Sequence, residues 1–215
     1  MPYPNHMFTF RKINNYLKFL VNPSNTFQYK INRPTWEAEF STGFWDYLDS
    51  SLRERARSAI IGMYCQHFSK GENILDVGCG LGTLTDFLNV SQKKKYLGID
   101  ISEKAIKKAK EYKKASFKNV EFDEFKTTKK FNIIVFGEVL YSMDEVKTFN
   151  KVLNLLSKDG KIIISQWKMK NGIRDKIIWK TSKKFFTLVD AIEMVGTEKG
   201  QQITWRIEVL KRKLV

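Results

Sequence analysis

Apolar and polar positions change rhythm twice along this chain. From residue 71 onward, short apolar runs alternate with stretches whose apolar residues recur every three or four positions. That rhythm predicts strands near 73–77, 95–99, 119–122, 131–136 and 160–166, with helices near 82–90, 102–115 and 144–157. In the second of these helices Ala105, Ile106, Ala109 and Tyr112 form the inward stripe, and lysines occupy the other side. Strands separated by helices are the signature of a parallel sheet with crossover connections. After Trp167 the pattern shifts to a basic helix near 172–184, followed by two runs rich in β-branched and aromatic residues, 187–195 and 203–210. A polar turn containing Gly196 and Gly200 joins them into a hairpin. Upstream, Ile13, Tyr16, Leu17 and Leu20 share one helical face, which could pack on the domain or rest on a partner or membrane surface. An aromatic segment from Trp36 to Leu48 then precedes a helix running through Arg53, Arg57, Ile60 and Tyr64. The expected organisation is an extension and helical cap over residues 1–70 and one α/β domain over 71–215. No internal repeat or Pro/Gly/Ser-rich linker marks a further boundary.

Composition narrows this picture. With 42% apolar residues in 215, the chain can bury one sizeable core. No apolar stretch reaches the roughly 18 residues of a spanning helix, and Arg11, Lys12, Asn14, Asn15 and Lys18 interrupt any secretory apolar region. Cys65 and Cys79 are the only cysteines and His6 and His67 the only histidines. A disulfide framework is therefore not expected, a reducing, cytoplasmic setting is, and ligand spacing for a metal is missing. The formal net charge of +15 is carried by 38 basic residues of which only eight are arginine. Lysines on helix faces read first as a solvated surface, with a polyanion-binding surface as the alternative.

Chemistry concentrates in one run, Ile74-Leu75-Asp76-Val77-Gly78-Cys79-Gly80-Leu81-Gly82-Thr83, followed by Gly98-Ile99-Asp100. An apolar strand that turns through alternate glycines brings a ligand against bare backbone. A carboxylate at the tip of the next strand can accept hydrogen bonds from both hydroxyls of a ribose. The dinucleotide fingerprint needs its third small residue where Thr83 stands, and the phosphate-loop pattern needs a lysine that Gly82-Thr83-Leu84 lacks. NAD and nucleoside triphosphates are disfavoured.

The run resembles motif I of the class I S-adenosylmethionine-dependent methyltransferases. Phe131-Asn132-Ile133-Ile134-Val135-Phe136-Gly137-Glu138-Val139-Leu140-Tyr141 is similar to the family's motif IV strand and loop, and Leu155–Ile164 to its segment leading into the fifth strand. Asn132 departs from the usual Asp, Asp159 from the commoner Gly, and Ser142 from a frequent His. The resemblance covers roughly residues 71–211. It implies a Rossmann-like, doubly wound, seven-stranded, mostly parallel sheet with a C-terminal antiparallel hairpin and an N-terminal helical cap, and S-adenosyl-L-methionine as cofactor. It further implies that Gly78, Cys79, Gly80, Gly82 and Thr83 line the methionine portion. Asp76 supports the loop or meets the cofactor's ammonium group, and Asp100 with Ile101 takes the ribose. Asp123 or Glu124, with the backbone at Phe125, is expected at the adenine. Gly137 closes the fourth-strand side.

Methyl transfer is an in-line displacement helped by near-attack geometry and exclusion of water, so a cap over the site is expected. Trp45 or Tyr47 is expected to touch the cofactor and Arg57 to approach its carboxylate, unless the aromatics are core anchors and the arginines solvated. Glu138 is the candidate general base with Tyr141 orienting the acceptor, or else Glu138 contacts only the cofactor. An acceptor that is already anionic would need no base. A small-molecule or glycan oxygen, or a nitrogen, is the expected acceptor. Nucleic acid is a weaker one: Gly137-Glu138-Val139-Leu140 lacks the Asp/Asn-Pro-Pro-aromatic tetrad of adenine-amino methyltransferases, and no cysteine stands there for cytosine-carbon chemistry. A non-catalytic cofactor-binding partner protein is the third reading.

Overall fold

The computed structural model describes residues 32–68, 73–168, 173–198 and 201–213. The expected helix around Ile13–Leu20 lies outside them. Three helices lead the described chain: α1 (Arg33–Ser41), the single turn α2 (Tyr47–Ser50) and α3 (Leu52–Phe68). Asn32 caps α1 by accepting the Thr35 N–H, and Pro34 sits in the first turn, where its missing N–H costs nothing. The sheet then builds from β1 (Ile74–Val77), β2 (Tyr96–Asp100), β3 (Ser116–Asn119), β4 (Phe131–Gly137), β5 (Leu156–Trp167), β6 (Phe186–Glu198) and β7 (Gln201–Arg212). Between them lie α4 (Val90–Lys95), α5 (Glu103–Tyr112), α6 (Glu145–Leu155) and α7 (Ile173–Phe185).

The strand order is β3-β2-β1-β4-β5-β7-β6. The first five strands pair in parallel, and β7 runs antiparallel to both β5 and β6. Alternate residues of the central strands serve opposite faces. Leu75, Ile134, Phe136, Ile162 and Ile164 pack with Phe149 and Val152 of α6 and Ile178 of α7. Ile74, Ile133, Val135 and Ile163 pack with Ile61 and Cys65 of α3 and Ile106 and Ala109 of α5. Both faces are covered, which is why these strands read as unbroken apolar runs. The order reverses between β1 and β4, and open α/β sheets bind ligands in the crevice at that switch point.

Three expectations shift. The helix foreseen over 82–90 is a 3₁₀ turn at Thr83–Phe87 followed by the separate α4, because Leu88 is extended and Asn89 with Gln92 forms a capping box that starts a new helix. β3 precedes the foreseen 119–122: Phe117 is its inward residue beside Gly98, while Phe122 and Phe125 reach the core from the turn beyond the strand. Tyr112 is exposed, not part of the inward stripe, because α5 ends there and Lys113 leaves the helical conformation. No described helix is long and apolar enough to cross a membrane.

Candidate active site

The loop after β1 carries the site. Gly78 has φ +70°, and a Cβ there would stand 2.6 Å from Val139 Cγ2, so the tip of β1 and the turn after β4 approach more closely than any side chain permits. Gly80, at φ +51°, is different: a Cβ would meet only Phe40 Cζ at 3.8 Å and Leu48 Cδ1 at 4.0 Å. Gly80 is buried under α1 and α2, at ordinary contact distance from both, so a methyl group fits there without collision.

Two buried acids brace the loop. Asp100 accepts the Gly80 N–H at 2.9 Å and the Ser102 N–H at 2.8 Å, so the carboxylate foreseen for a ribose also ties β2 to the loop. Burial raises its pKa against those two hydrogen bonds. Asp76 accepts the Tyr96 hydroxyl at 2.7 Å, and burial pushes it up to about 6 although Tyr96 and Arg57 favour its ionised form. Cys79, its thiol pushed well up by burial and by Asp100 and Asp76, lies where a Gly98 side chain would be, 2.8 Å from that Cβ position. It packs beneath the loop and is no nucleophile. Thr83 donates to Asp49 of α2 at 3.0 Å and so holds the cap. The Ile101 carbonyl accepts from the Asn119 amide at 2.9 Å.

Asp123 and Phe125 have partners elsewhere. Asp123 is exposed and pairs with Lys147 of α6 at 2.7 Å, and Glu124 is exposed. The Phe125 ring is buried against Phe131, and its N–H donates to the Glu121 and Phe122 carbonyls. The N–H foreseen for an adenine ring is thus used within its own turn. The Asn119 amide, by contrast, binds the Asp100 and Ile101 carbonyls at the end of β2.

Opposite the loop, β4 ends at Gly137 and Glu138. Glu138 is the one non-glycine residue with positive φ, 61°, among those described. Strain of this kind persists where surrounding contacts fix it, and here they do. One carboxylate oxygen accepts the Ser165 hydroxyl at 2.9 Å and the other the Trp167 N–H at 2.9 Å. Burial raises its pKa to about 7, with Arg57 pulling the other way. Tyr141, half-buried, has its phenol raised by burial and then by the charges of Glu138, Glu39 and Asp100. Arg174 of α7 fixes the turn bearing Tyr141: its guanidinium donates to the Leu140, Tyr141 and Met143 carbonyls and pairs with buried Glu145 at 2.8 Å. Ser142, in the position where a His is frequent, donates to the Val139 carbonyl and closes its own turn.

The cap meets this constellation from above. Arg57 of α3 donates to Glu54 through Nε and Nη2, while Nη1 lies 3.3 Å from where a Gly137 Cβ would be. Trp45 stacks loosely on Trp36 (5.5 Å) and Tyr47 (5.9 Å), donates to Glu39 at 3.1 Å, and belongs to a cluster containing Phe40, Leu81 of the loop and Ala105 of α5. Glu37 caps the N-terminus of α5, accepting the Lys104 N–H and the Ser102 hydroxyl. Lys113 bridges Asp49 (3.0 Å) and Asp86 (2.9 Å), Arg55 also holds Asp86 (2.9 Å), and Lys108 pairs with Asp46. Sequence reading missed Tyr96, Glu37, Glu39, Ser165 and Arg174. Only Tyr96, a hydroxyl inside an otherwise apolar strand, left a signal there.

A glycine loop at the β1/β4 switch point, an acid at the tip of β2 and a β7 strand reversed between β5 and β6 define a class I S-adenosylmethionine-dependent methyltransferase. A family model described as a methyltransferase domain matches residues 68–208, and the chain belongs to that family. The fold is shared with the N-methyltransferase NodS of Bradyrhizobium japonicum, solved with S-adenosyl-L-homocysteine (TM-score 0.61, 19% identity, 76% of this chain and 90% of that one). It is shared also with the 1,6-didemethyltoxoflavin N1-methyltransferase of Burkholderia thailandensis (TM-score 0.64, 14% identity, 84% and 86%). Among curated proteins, one from Methanocaldococcus jannaschii that carries the name of a protein N5-glutamine methyltransferase is 30% identical over 105 residues, 46% of this chain. The match spans about half of that relative, 53% of its length.

The donor set fits the cofactor. Asp76, Asp100 and Glu138, with Arg57 as the guanidinium beside them, suit a ligand bearing a sulfonium, an ammonium and one carboxylate. With no side chain at Gly80, the loop backbone beneath Phe40 and Leu48 is where the cofactor's cradle would lie.

Proposed function

We propose that this protein methylates a nucleophilic oxygen or nitrogen of a small molecule, with Glu138 as general base, Tyr141 orienting the acceptor and helices α1 to α3 as the cap. S-adenosylmethionine would be held by the backbone at Gly78, Gly80 and Gly82, by Asp100 at its ribose hydroxyls and by Asp76 and Arg57 near its ammonium and carboxylate. When bound, it supplies an electrophilic methyl group on a positively charged sulfur.

The observation that carries the reading is Glu138: strained, anchored by Ser165 and Trp167, and raised to about 7 beside Tyr141. A carboxylate poised near neutrality takes a proton and returns it within one cycle, which an acid of ordinary pKa does poorly. The cap's aromatic cluster against Leu81 supports exclusion of water. Asp123, paired with Lys147, and the exposed Glu124 are assigned only to the solvent side of the adenine region.

The test is release of S-adenosylhomocysteine across a panel of metabolites and glycans. Glu138→Gln is expected to lower kcat by about 10²–10⁴ while leaving cofactor affinity nearly unchanged. Undiminished turnover by the variant would remove Glu138 from the chemistry.

A further inference from the structure

Nearly half of the chain's net charge lies in one stretch. Residues 90–130 hold thirteen lysines, six acids and no arginine, a net +7 out of the formal +15. They build α4, β2, α5 and β3, and β3 is one of the two edges of the sheet. The register brings the charges together. β2 and β3 pair in parallel with Leu97 opposite Ser116, so Lys95 and Lys114, each two residues earlier, flank the same end of the strand pair. Lys94 joins them because the last turn of α4 runs directly into β2, and Lys110 stands in the last turn of α5. Glu111 is the single acid in those two last turns. All four lysines are exposed, and none has an ion-pair partner among the described residues, whereas Lys108 and Lys113 beside them hold acids of the cap and the 3₁₀ turn. This end of the sheet is opposite to the strand tips that carry Gly80 and Asp100, so the ridge stands outside the cleft.

One lysine in a last turn complements the helix dipole, but like charges crowded at one sheet edge repel one another and oppose folding. A negatively charged partner relieves that repulsion. Two features choose among polyanions. Ala105, Ile106 and Ala109 of α5 are all buried, so the helix has no apolar face to lay on a lipid surface. Tyr112, in the same last turn as Lys110, is 70% exposed and offers an aromatic face among lysines. Lysine meets phosphate as a point charge without reading base edges, exposed aromatic rings stack unpaired bases, and unpaired bases are what RNA loops and ends present.

We propose that the β3 edge is a docking surface for single-stranded RNA, with phosphates on Lys94, Lys95, Lys110 and Lys114 and an unpaired base stacked on Tyr112. The proposal goes beyond the methyl-transfer reading and is independent of it: the RNA is a partner held beside the catalytic domain, whatever the acceptor.

The test is fluorescence anisotropy of the full chain with a labelled single-stranded RNA of about 20 nucleotides, the DNA strand of the same sequence and the corresponding DNA duplex. The RNA is expected to bind at least as tightly as either DNA, with affinity falling steeply between about 50 and 200 mM salt. Lys94→Glu, Lys95→Glu, Lys110→Glu and Lys114→Glu together are expected to weaken RNA binding at least about tenfold. They should also flatten its log–log salt dependence by about 0.7 for each lysine that meets a phosphate. Tyr112→Ala is expected to weaken it about fivefold or more. A control variant makes the same charge change at the exposed Lys176, Lys180, Lys183 and Lys184 of α7, which leads into the opposite edge strand β6. It is expected to bind within about threefold of wild type, since charges beyond a Debye length are screened. A heat-unfolding shift with S-adenosylmethionine equal to wild type shows that each variant is folded. No RNA binding by the wild type, tighter binding of either DNA, or unmoved affinity in the lysine or Tyr112 variant would overturn the proposal. So would an equal loss in the α7 control, or binding of phosphatidylserine vesicles that the same four β3-edge changes abolish.

Discussion

Gly80 and Gly78 carry the same residue for different physical reasons. Gly78 is required by contact, since any Cβ collides with Val139, whereas a Cβ at Gly80 would meet Phe40 and Leu48 only at ordinary contact distances, on the side proposed for the cofactor. Gly80→Ala is therefore expected to leave a folded protein, destabilised by about 1–2 kcal/mol for a non-glycine residue at φ +51°. Its S-adenosylmethionine affinity should fall at least about tenfold, because a methyl group enters the cradle. Heat unfolding with and without cofactor checks both numbers together, and an unchanged affinity would remove Gly80 from the cradle. Glycine positions and acids at strand tips were legible in the sequence because each obeys a local rule. The partners of those acids were not: Tyr96 reaches Asp76 across 20 positions, and Ser165 reaches Glu138 across 27.

At the scale of elements, the cap is fastened by charge as well as by apolar contact. Asp46, Asp49 and Glu37 reach α5 and the 3₁₀ turn, and Lys113, almost buried, serves two carboxylates at once. Burial opposes ionisation of Asp86, but Lys113 and Arg55 hold its pKa below the ordinary carboxylate range. Lys113→Met keeps the stem's packing and removes both bonds. It is expected to raise protease cleavage between α1 and α3 and to weaken cofactor binding by about three- to tenfold, a loss of roughly 1 kcal/mol, without lowering core stability comparably. Cleavage and affinity like the wild type's would show that the aromatic cluster alone seats the cap. Strands with apolar periodicity were readable from the chain, and β1, β2, β4 and the hairpin fall where the pattern predicts. β3 was misplaced because Ser116-Phe117-Lys118-Asn119 has only one apolar residue, whereas Val120 and Phe122 mimic a strand from a turn. The cap's docking was unreadable, since pairs such as Asp49 with Lys113 depend on a packing that no local spacing announces.

For the whole molecule, two buried acids with raised pKa values couple folding to pH. Glu138 is raised from 4.5 to about 7 and Asp76 from 3.8 to about 6, so the folded state binds more protons than the unfolded chain between about pH 4 and pH 7. Stability from these groups is present at low pH and lost as pH rises through their folded values. Glu138→Gln removes one contribution, and its melting temperature relative to wild type is expected to climb from pH 5 to pH 8. The corresponding free energy is on the order of 2–3 kcal/mol. A difference independent of pH would show that Glu138 is ionised already at pH 5. A cation bound in the cleft reverses the effect by favouring the carboxylates, so cofactor binding should release protons near pH 6–7.

That linkage gives the most direct measurement: calorimetric titration of the full chain with S-adenosylmethionine at pH 6.5 in two buffers of different ionisation heat. Saturable binding with net proton release is predicted, with no binding of NAD under the same conditions. Absence of S-adenosylmethionine binding, or binding of NAD in its place, would contradict the account.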